Sequence, residues 1–264
     1  KNDLDKNMIQ NIDNIMEAFD SSFLEYSNKS NLKYEPIFIV GMPRSGSSLI
    51  EQMLSATDNC YNCGELSLLP DLSKRIKRED LSPEFKSNTI FNFIRSEYIK
   101  EVDKLIGKNK SFFTDKLPQN FLNIGAIINA FPEAKIINMT RNRNDNLLSI
   151  YQQKFTHGIS YAFDEENIVD YYDNYLKTMK TWHKLYPKRI YNLKLEHLIK
   201  DVELELRQLF KYIGINYTDK VNKFYKNDNV VKTASAAQVR KPLFNNEGSW
   251  KNYEYLLPKL FNKE

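Results

Sequence analysis

Apolar positions along the chain fall alternately into short runs and helical stripes. Pro36-Ile37-Phe38-Ile39-Val40 is a nearly continuous apolar run, the pattern of a strand covered on both faces. Leu49, Ile50, Met53 and Leu54 follow at helical spacing, so a strand, a turn and a helix are predicted in succession. Ser111-Phe112-Phe113-Thr114, Ala134 to Met139 and Arg189 to Leu195 read as three further strands. Between the second and third strands, Phe121, Leu122, Ile124, Ile127, Ile128 and Phe131 form an apolar helical stripe. A helix with Leu147, Leu148, Ile150, Tyr151 and Phe155 follows the third strand. Glu165 to about Tyr186 predicts a long helix, and Asp201 to Ile213 another, stopped by Gly214. Strands alternating with helices imply an α/β domain, a mostly parallel sheet wrapped on both faces. In such sheets ligands bind beyond the carboxyl ends of the strands.

The flanks divide the chain. Leu4, Met8, Ile12, Ile15, Met16, Phe19 and Phe23 have helical periodicity and run into the polar stretch Ser27 to Asn31. Residues 1–33 are therefore expected to be a separate helical segment, either a packed preliminary helix or the tail of an upstream helical domain, with the main domain at 34–264. A charged, helix-rich insertion is expected between Leu69 and about Gly107. Val231 to Trp250 has no clear period and reads either as a surface loop or as one that closes over a site.

Composition narrows the function classes. Hydrophobic content of 41% and charged content of 27% are globular values, and no low-complexity block points to disorder. The net charge of +4 is mild and forms no basic stripe, so no nucleic-acid partner is expected. No apolar run approaches the length of a membrane span, and a cytoplasmic location is expected. Lys1 is not an initiator methionine, which leaves an upstream targeting signal open. Cys60 and Cys63 form a lone C-x-x-C, while His157, His183 and His197 lie far off without ligand spacing. Two reduced thiols and no metal site are expected.

The sharpest chemical signal is the turn Gly41-Met42-Pro43-Arg44-Ser45-Gly46-Ser47-Ser48 between the first strand and its helix. Backbone N–H groups and the positive end of the helix dipole converge there into an anion site. The spacing is that of the phosphate loop G-x-x-x-x-G-K-[ST], with Ser47 in place of the lysine. That lysine serves the β- and γ-phosphates of a triphosphate, so an anion other than ATP or GTP is implied.

Pro36 to Ser48 resembles the 5′-phosphosulfate loop of sulfotransferases that use 3′-phosphoadenosine 5′-phosphosulfate (PAPS), which places Arg44, Ser45, Gly46, Ser47 and Ser48 around that group. Arg141 with Ser149 is similar to the pair that holds the 3′-phosphate in that family. Cys63-Gly64-Glu65, Asp115-Lys116-Leu117-Pro118 and Ser235 to Pro242 look like the tyrosylprotein sulfotransferase branch and its bacterial relatives, which often carry tetratricopeptide repeats upstream. The resemblance runs from about Pro36 to Trp250.

It implies a sulfotransferase fold, PAPS as co-substrate and no metal. Glu65 is implied as the base for the acceptor hydroxyl, Lys116 as the charge stabiliser and Ser235 as a second donor. Lys241, in the last motif, is assigned to the nucleotide. Glu65 also reads as a carboxylate stabilising a helix N-terminus, and Arg141 as a surface arginine at a strand end. Where small-molecule sulfotransferases place a histidine after the lysine, this chain has Leu117 and Pro118, which favours a glutamate base. An atypical P-loop kinase, with Asp115 as its magnesium carboxylate, and an inactive nucleotide-binding module are the competing readings. The acceptor (protein tyrosine, carbohydrate, or small alcohol or phenol) and the oligomeric state stay open.

Overall fold

In a computed structural model of the chain, residues 32–73, 87–107, 110–153, 155, 159–226 and 246–261 are described. The predicted helix within 1–31 and the candidates Ser235 and Lys241 lie outside them. The centre is β1 (Glu35–Gly41), buried from Pro36 onward, which is why its sequence is an unbroken apolar run. Five parallel strands line up in the order β2 (Cys60–Asn62), β3 (Phe112–Asp115), β1, β4 (Lys135–Thr140) and β5 (Ile190–Lys194). The register sets Phe38 opposite both Asp115 and Ile136. Because the chain jumps from β3 across β1 to β4, a topological switch lies at the carboxyl end of β1.

Strand alternation sorts side chains onto two faces. Phe38, Val40, Phe113 and Ile136 pack on α3 (Ser87–Val102), α4 (Ile124–Ala130) and α6 (Glu165–Leu185). Ile37, Ile39, Phe112, Ile137 and Met139 pack on α1 (Ser47–Ser55) and α8 (Val202–Ile213). The remaining helices are α2 (Leu68–Ser73), α5 (Arg143–Tyr151), α7 (Leu195–Lys200) and α9 (Pro258–Phe261).

Local chemistry sets the boundaries. Asp164 and Asp201 cap α6 and α8 by accepting the N–H groups of Asn167 (2.9 Å) and Leu204 (3.0 Å). Gly214, with φ of 89°, ends α8. The predicted stripe from Phe121 to Phe131 is split: Pro118–Asn123 is a 3₁₀ turn and only Ile124–Ala130 is α-helical. The Phe121 carbonyl accepts from Trp182 Nε1 (2.7 Å), anchoring the turn to α6. The structure also adds β2, which the pattern did not reveal. Three residues are too few to show alternation, and pairing of Cys60 with Phe112 and Asn62 with Thr114 holds them as an edge strand. Both cysteines are free thiols. Among the described residues no helix is long and apolar enough to cross a membrane.

Gly41 ends β1 at φ of +140°, and a Cβ there would lie 2.4 Å from the Met139 carbonyl oxygen. The central strands can therefore meet at this level only without a side chain. Gly41→Ala is expected to destabilise the fold by about 3 kcal/mol or more, measured by urea denaturation. A loss below about 1 kcal/mol would mean that β1 and β4 separate easily.

Candidate active site

Three segments converge at the carboxyl edge of the sheet. The first is the turn between β1 and α1. Arg44 takes the left-handed conformation (φ 65°), as does Gly46 (φ 100°), which folds the turn back on itself. Gly46 precedes α1 without a side-chain cap, and a Cβ on it would lie 2.9 Å from Leu195 Cδ1. Ser45, Ser47 and Ser48 are buried beside it. Ser45 Oγ has no hydrogen-bond partner among the described residues, so a buried hydroxyl of the turn is left for an acceptor that those residues do not supply.

The second segment joins β4 to α5. Arg141 Nη1 donates to the Arg44 carbonyl (3.1 Å) and its Nη2 to Asn246 Oδ1 (3.3 Å). Arg44 Nε in turn donates to Ser149 Oγ (3.2 Å). Three sequence candidates thus meet, with Arg44 as the link between Arg141 and Ser149. Burial lowers the pKa of both guanidinium groups, and the neighbouring Arg141 charge lowers that of Arg44 further. Asn146 Nδ2 ties α5 to the turn through the Pro43 carbonyl (2.8 Å). Asp145, also on α5, accepts from the N–H groups of Gly248 (2.7 Å) and Trp250 (3.2 Å) and from Ser249 Oγ (3.1 Å). It thereby fastens the last described segment against the cradle.

The third segment follows β2. Cys63 N–H donates to the Thr114 carbonyl (3.1 Å), and Lys116 N–H donates to the Gly64 carbonyl (2.9 Å). Gly64 turns at φ of 70°, its N–H held by Asn62 Oδ1 (2.7 Å). These bonds bring Glu65 Oε1 onto Lys116 Nζ as an ion pair. The pair is lopsided: the Lys116 side chain is 1% exposed and that of Glu65 42%, so the carboxylate faces the open side.

Asp115 points to the opposite face. Its Oδ2 accepts from Tyr98 Oη (2.8 Å) and Asn120 Nδ2 (3.2 Å), and its Oδ1 from Leu66 N–H (3.5 Å). The carboxylate that a kinase would need for magnesium is therefore turned into the core, where it anchors the residue next to Glu65. Burial pushes its pKa up to about 7, against the opposing pull of its hydrogen bonds and of Lys116.

Sequence reasoning missed Glu51. It lies buried on α1, accepts from Thr114 Oγ1 (3.1 Å), and is pushed up to about 7, chiefly by burial. Ser48, Glu51, Gln52 and Ser55 look like the solvent face of an amphipathic helix, yet all four are buried. Of the nine residues of α1 only Leu49 is not buried, so an amphipathic sequence pattern gave no sign that the polar face is covered as well.

Residues 36–219 match the sulfotransferase family, and the chain belongs to it. It is 34% identical over 264 residues to an uncharacterized protein of Aquifex aeolicus, covering 94% of this chain and 35% of that protein. It is 25% identical over 157 residues to the omega-hydroxy-beta-dihydromenaquinone-9 sulfotransferase Stf3 of Mycobacterium bovis, covering 55% and 38%. The chain thus spans little more than a third of the length of these curated relatives. Among solved structures it resembles the sulfotransferase domain from the curacin biosynthetic pathway, with a TM-score of 0.53, 15% identity, and 87% and 99% of the two chains covered. That last likeness is one of fold.

An acid whose pKa is raised on folding costs nothing below its unfolded value and progressively more as pH rises toward the folded one. For Asp115 that window runs from about pH 4 to about pH 7, and Glu51 adds a cost of the same sign. Across it, the stability of Asp115→Asn is expected to gain on the parent by on the order of 4 kcal/mol, read from urea denaturation at several pH values. Parallel curves for the two proteins would contradict a buried carboxyl that ionises near neutrality.

Proposed function

We propose that the chain moves the sulfuryl group of PAPS to a hydroxyl acceptor, with Glu65 as base and Lys116 as charge stabiliser. The observation that carries this reading is the Lys116–Glu65 ion pair, formed by residues from two separate loops beside the turn that follows β1. The residues fit a nucleotide with two anionic ends. The turn around Ser45 offers buried donors for the 5′-phosphosulfate. Arg141, Arg44 and Ser149 offer a second cradle suited to the 3′-phosphate, whose charge would relieve the crowding of two guanidiniums.

In this reading Glu65 turns from Lys116 to the acceptor hydroxyl and takes its proton. PAPS supplies the sulfuryl group: the acceptor oxygen–sulfur bond forms as the bond from sulfur to the 5′-phosphate oxygen breaks, and the electron pair leaves on that oxygen. Lys116 stabilises the charge developing there. Ser235 is assigned a second donor role and Lys241 a nucleotide contact, both from the family resemblance. The acceptor is a protein tyrosine, a carbohydrate, or a small alcohol or phenol. Stf3, named for a hydroxylated menaquinone, keeps a lipid-like alcohol among them.

The product nucleotide, 3′-phosphoadenosine 5′-phosphate (PAP), is expected to bind more tightly than AMP or ADP in calorimetry. Arg141→Ala should weaken it by about 2–3 kcal/mol, and equal affinities for the three nucleotides would overturn the two-cradle reading.

Labelled PAPS presented to a tyrosine peptide, a carbohydrate panel and small phenols and alcohols tests the transfer itself. Glu65→Gln and Lys116→Ala are each expected to lower turnover by roughly 10²-fold while PAP affinity stays within a few-fold of the parent. Near-parental turnover by Glu65→Gln would return Glu65 to a helix-stabilising role. Transfer is expected to persist in excess EDTA, and loss restored by Mg²⁺ would favour a kinase.

A further inference from the structure

Lys116 sits deep in the fold, and a buried ammonium is costly unless negative charge lies close by. In the resting arrangement that charge is Glu65. Sulfuryl transfer as proposed above removes it: once Glu65 accepts the acceptor's proton it is neutral, at the moment when Lys116 is needed at the leaving oxygen. The counter-charge on the open side is then that of PAPS, and a carboxylate on the inner side would fix how far the ammonium moves toward it.

The geometry points to Glu51. Thr114 lies on β3 and Lys116 is the first residue beyond its end, its N–H still held by the Gly64 carbonyl (2.9 Å), so the strand's alternation carries both toward the face that packs on α1. Glu51 reaches the same face from α1, where Thr114 Oγ1 donates to its Oε1 (3.1 Å). We infer that Glu51 is a positioning residue for Lys116: its carboxylate, fixed by Thr114, gives the ammonium a second negative charge on the inner side, without pairing with it directly, while Glu65 is released on the open side. This inference rests on the sulfuryl-transfer reading above.

Among the described residues the groups that act on Glu51 are few. Thr114, on β3, is its hydrogen-bond partner, and the charges that act on it are those of Lys116, of Asp115 across the sheet and of Glu65 in the loop after β2. Cys60 and Cys63 lie near, and burial pushes both thiols upward, Cys60 to about 12, so neither adds charge at neutral pH. Lys116 is therefore the positive group in this set, and its charge opposes the upward push of burial on Glu51. A carboxyl poised near 7 is ionised in a substantial fraction of molecules at neutral pH, so it can supply the counter-charge.

Two measurements on the full chain test this. The first needs no turnover. With ¹³C-labelled glutamate, the Glu51 carboxyl signal is assigned by its loss in Glu51→Gln and followed against pH. Its midpoint is expected near 7 in the parent and higher by about one unit in Lys116→Met. An unmoved midpoint overturns the inference.

The second uses PAPS and whichever acceptor passes the screen above. Glu51→Gln is expected to lower kcat roughly 10-fold or more, with KM for PAPS and PAP affinity within about threefold. It should also bring the alkaline fall of kcat to lower pH, and Glu51→Asp should recover part of both effects. Parental kcat and pH profile in Glu51→Gln overturn the inference. So does a kcat loss matched by lost PAP binding and not recovered by Glu51→Asp, which marks a purely structural carboxyl. If the parent transfers nothing from PAPS to any acceptor, the sulfuryl-transfer reading fails by itself, and the carboxyl titration still decides whether the charges of Glu51 and Lys116 act on each other.

Discussion

A lysine ammonium enclosed at the end of an inner strand is the constraint around which this edge of the sheet is arranged. The charge cannot be hydrated, so carboxylates must come to it. Glu65 is delivered by a loop that β3 grips twice through its backbone, at Cys63 and at Gly64. That grip needs β2, a strand of three residues whose purpose is hard to see until the loop behind it is considered. Asp115, buried on the far face, fastens Leu66 and so fixes the other side of Glu65. Even the edge of the sheet is thus recruited to meet one buried charge.

The turn after β1 faces the converse problem. Its partial positive charges, two nearby guanidiniums and a buried hydroxyl without a partner among the described residues make a site that is electrostatically incomplete. The protein holds it open by backbone means: glycine where β1 meets β4, and a left-handed Arg44 whose carbonyl is pinned by Arg141. Strain and like-charge crowding of this kind persist only when the surrounding structure over-determines them. Here the bonds from Asn146 and Ser149 to the turn provide that support.

Much of this was legible in the sequence, for reasons that differ by residue. The run Pro36 to Val40 and the stripe after it announce a buried strand and its helix, because a parallel sheet covered on both faces leaves no other pattern. Gly41, Arg44 and Ser45 are readable because local geometry alone makes the turn. Glu65 and Lys116 were found by motif, each separately. Their pairing is a product of the β2–β3 register, which three edge residues do not advertise. Glu51 escaped because helical periodicity tells which residues share a face and not what covers it. Asp115, the carboxylate that the competing kinase reading needs, is placed in the core for a related cause. In a strand, moving by one position moves a side chain to the other side of the sheet, so Asp115 and Lys116, adjacent in sequence, serve different compartments.

Asp145 collects three hydrogen bonds from residues 248–250 while riding on the helix that carries Ser149. Two of those donors are backbone amides, which exchange with solvent only when the bond opens. The amides of Gly248 and Trp250 therefore act as built-in clocks: their exchange rates count how often the last described segment lifts from α5. Since Asn246 of that segment also touches Arg141, the same clocks time the breathing of the second cradle, with no ligand and no turnover needed to read them.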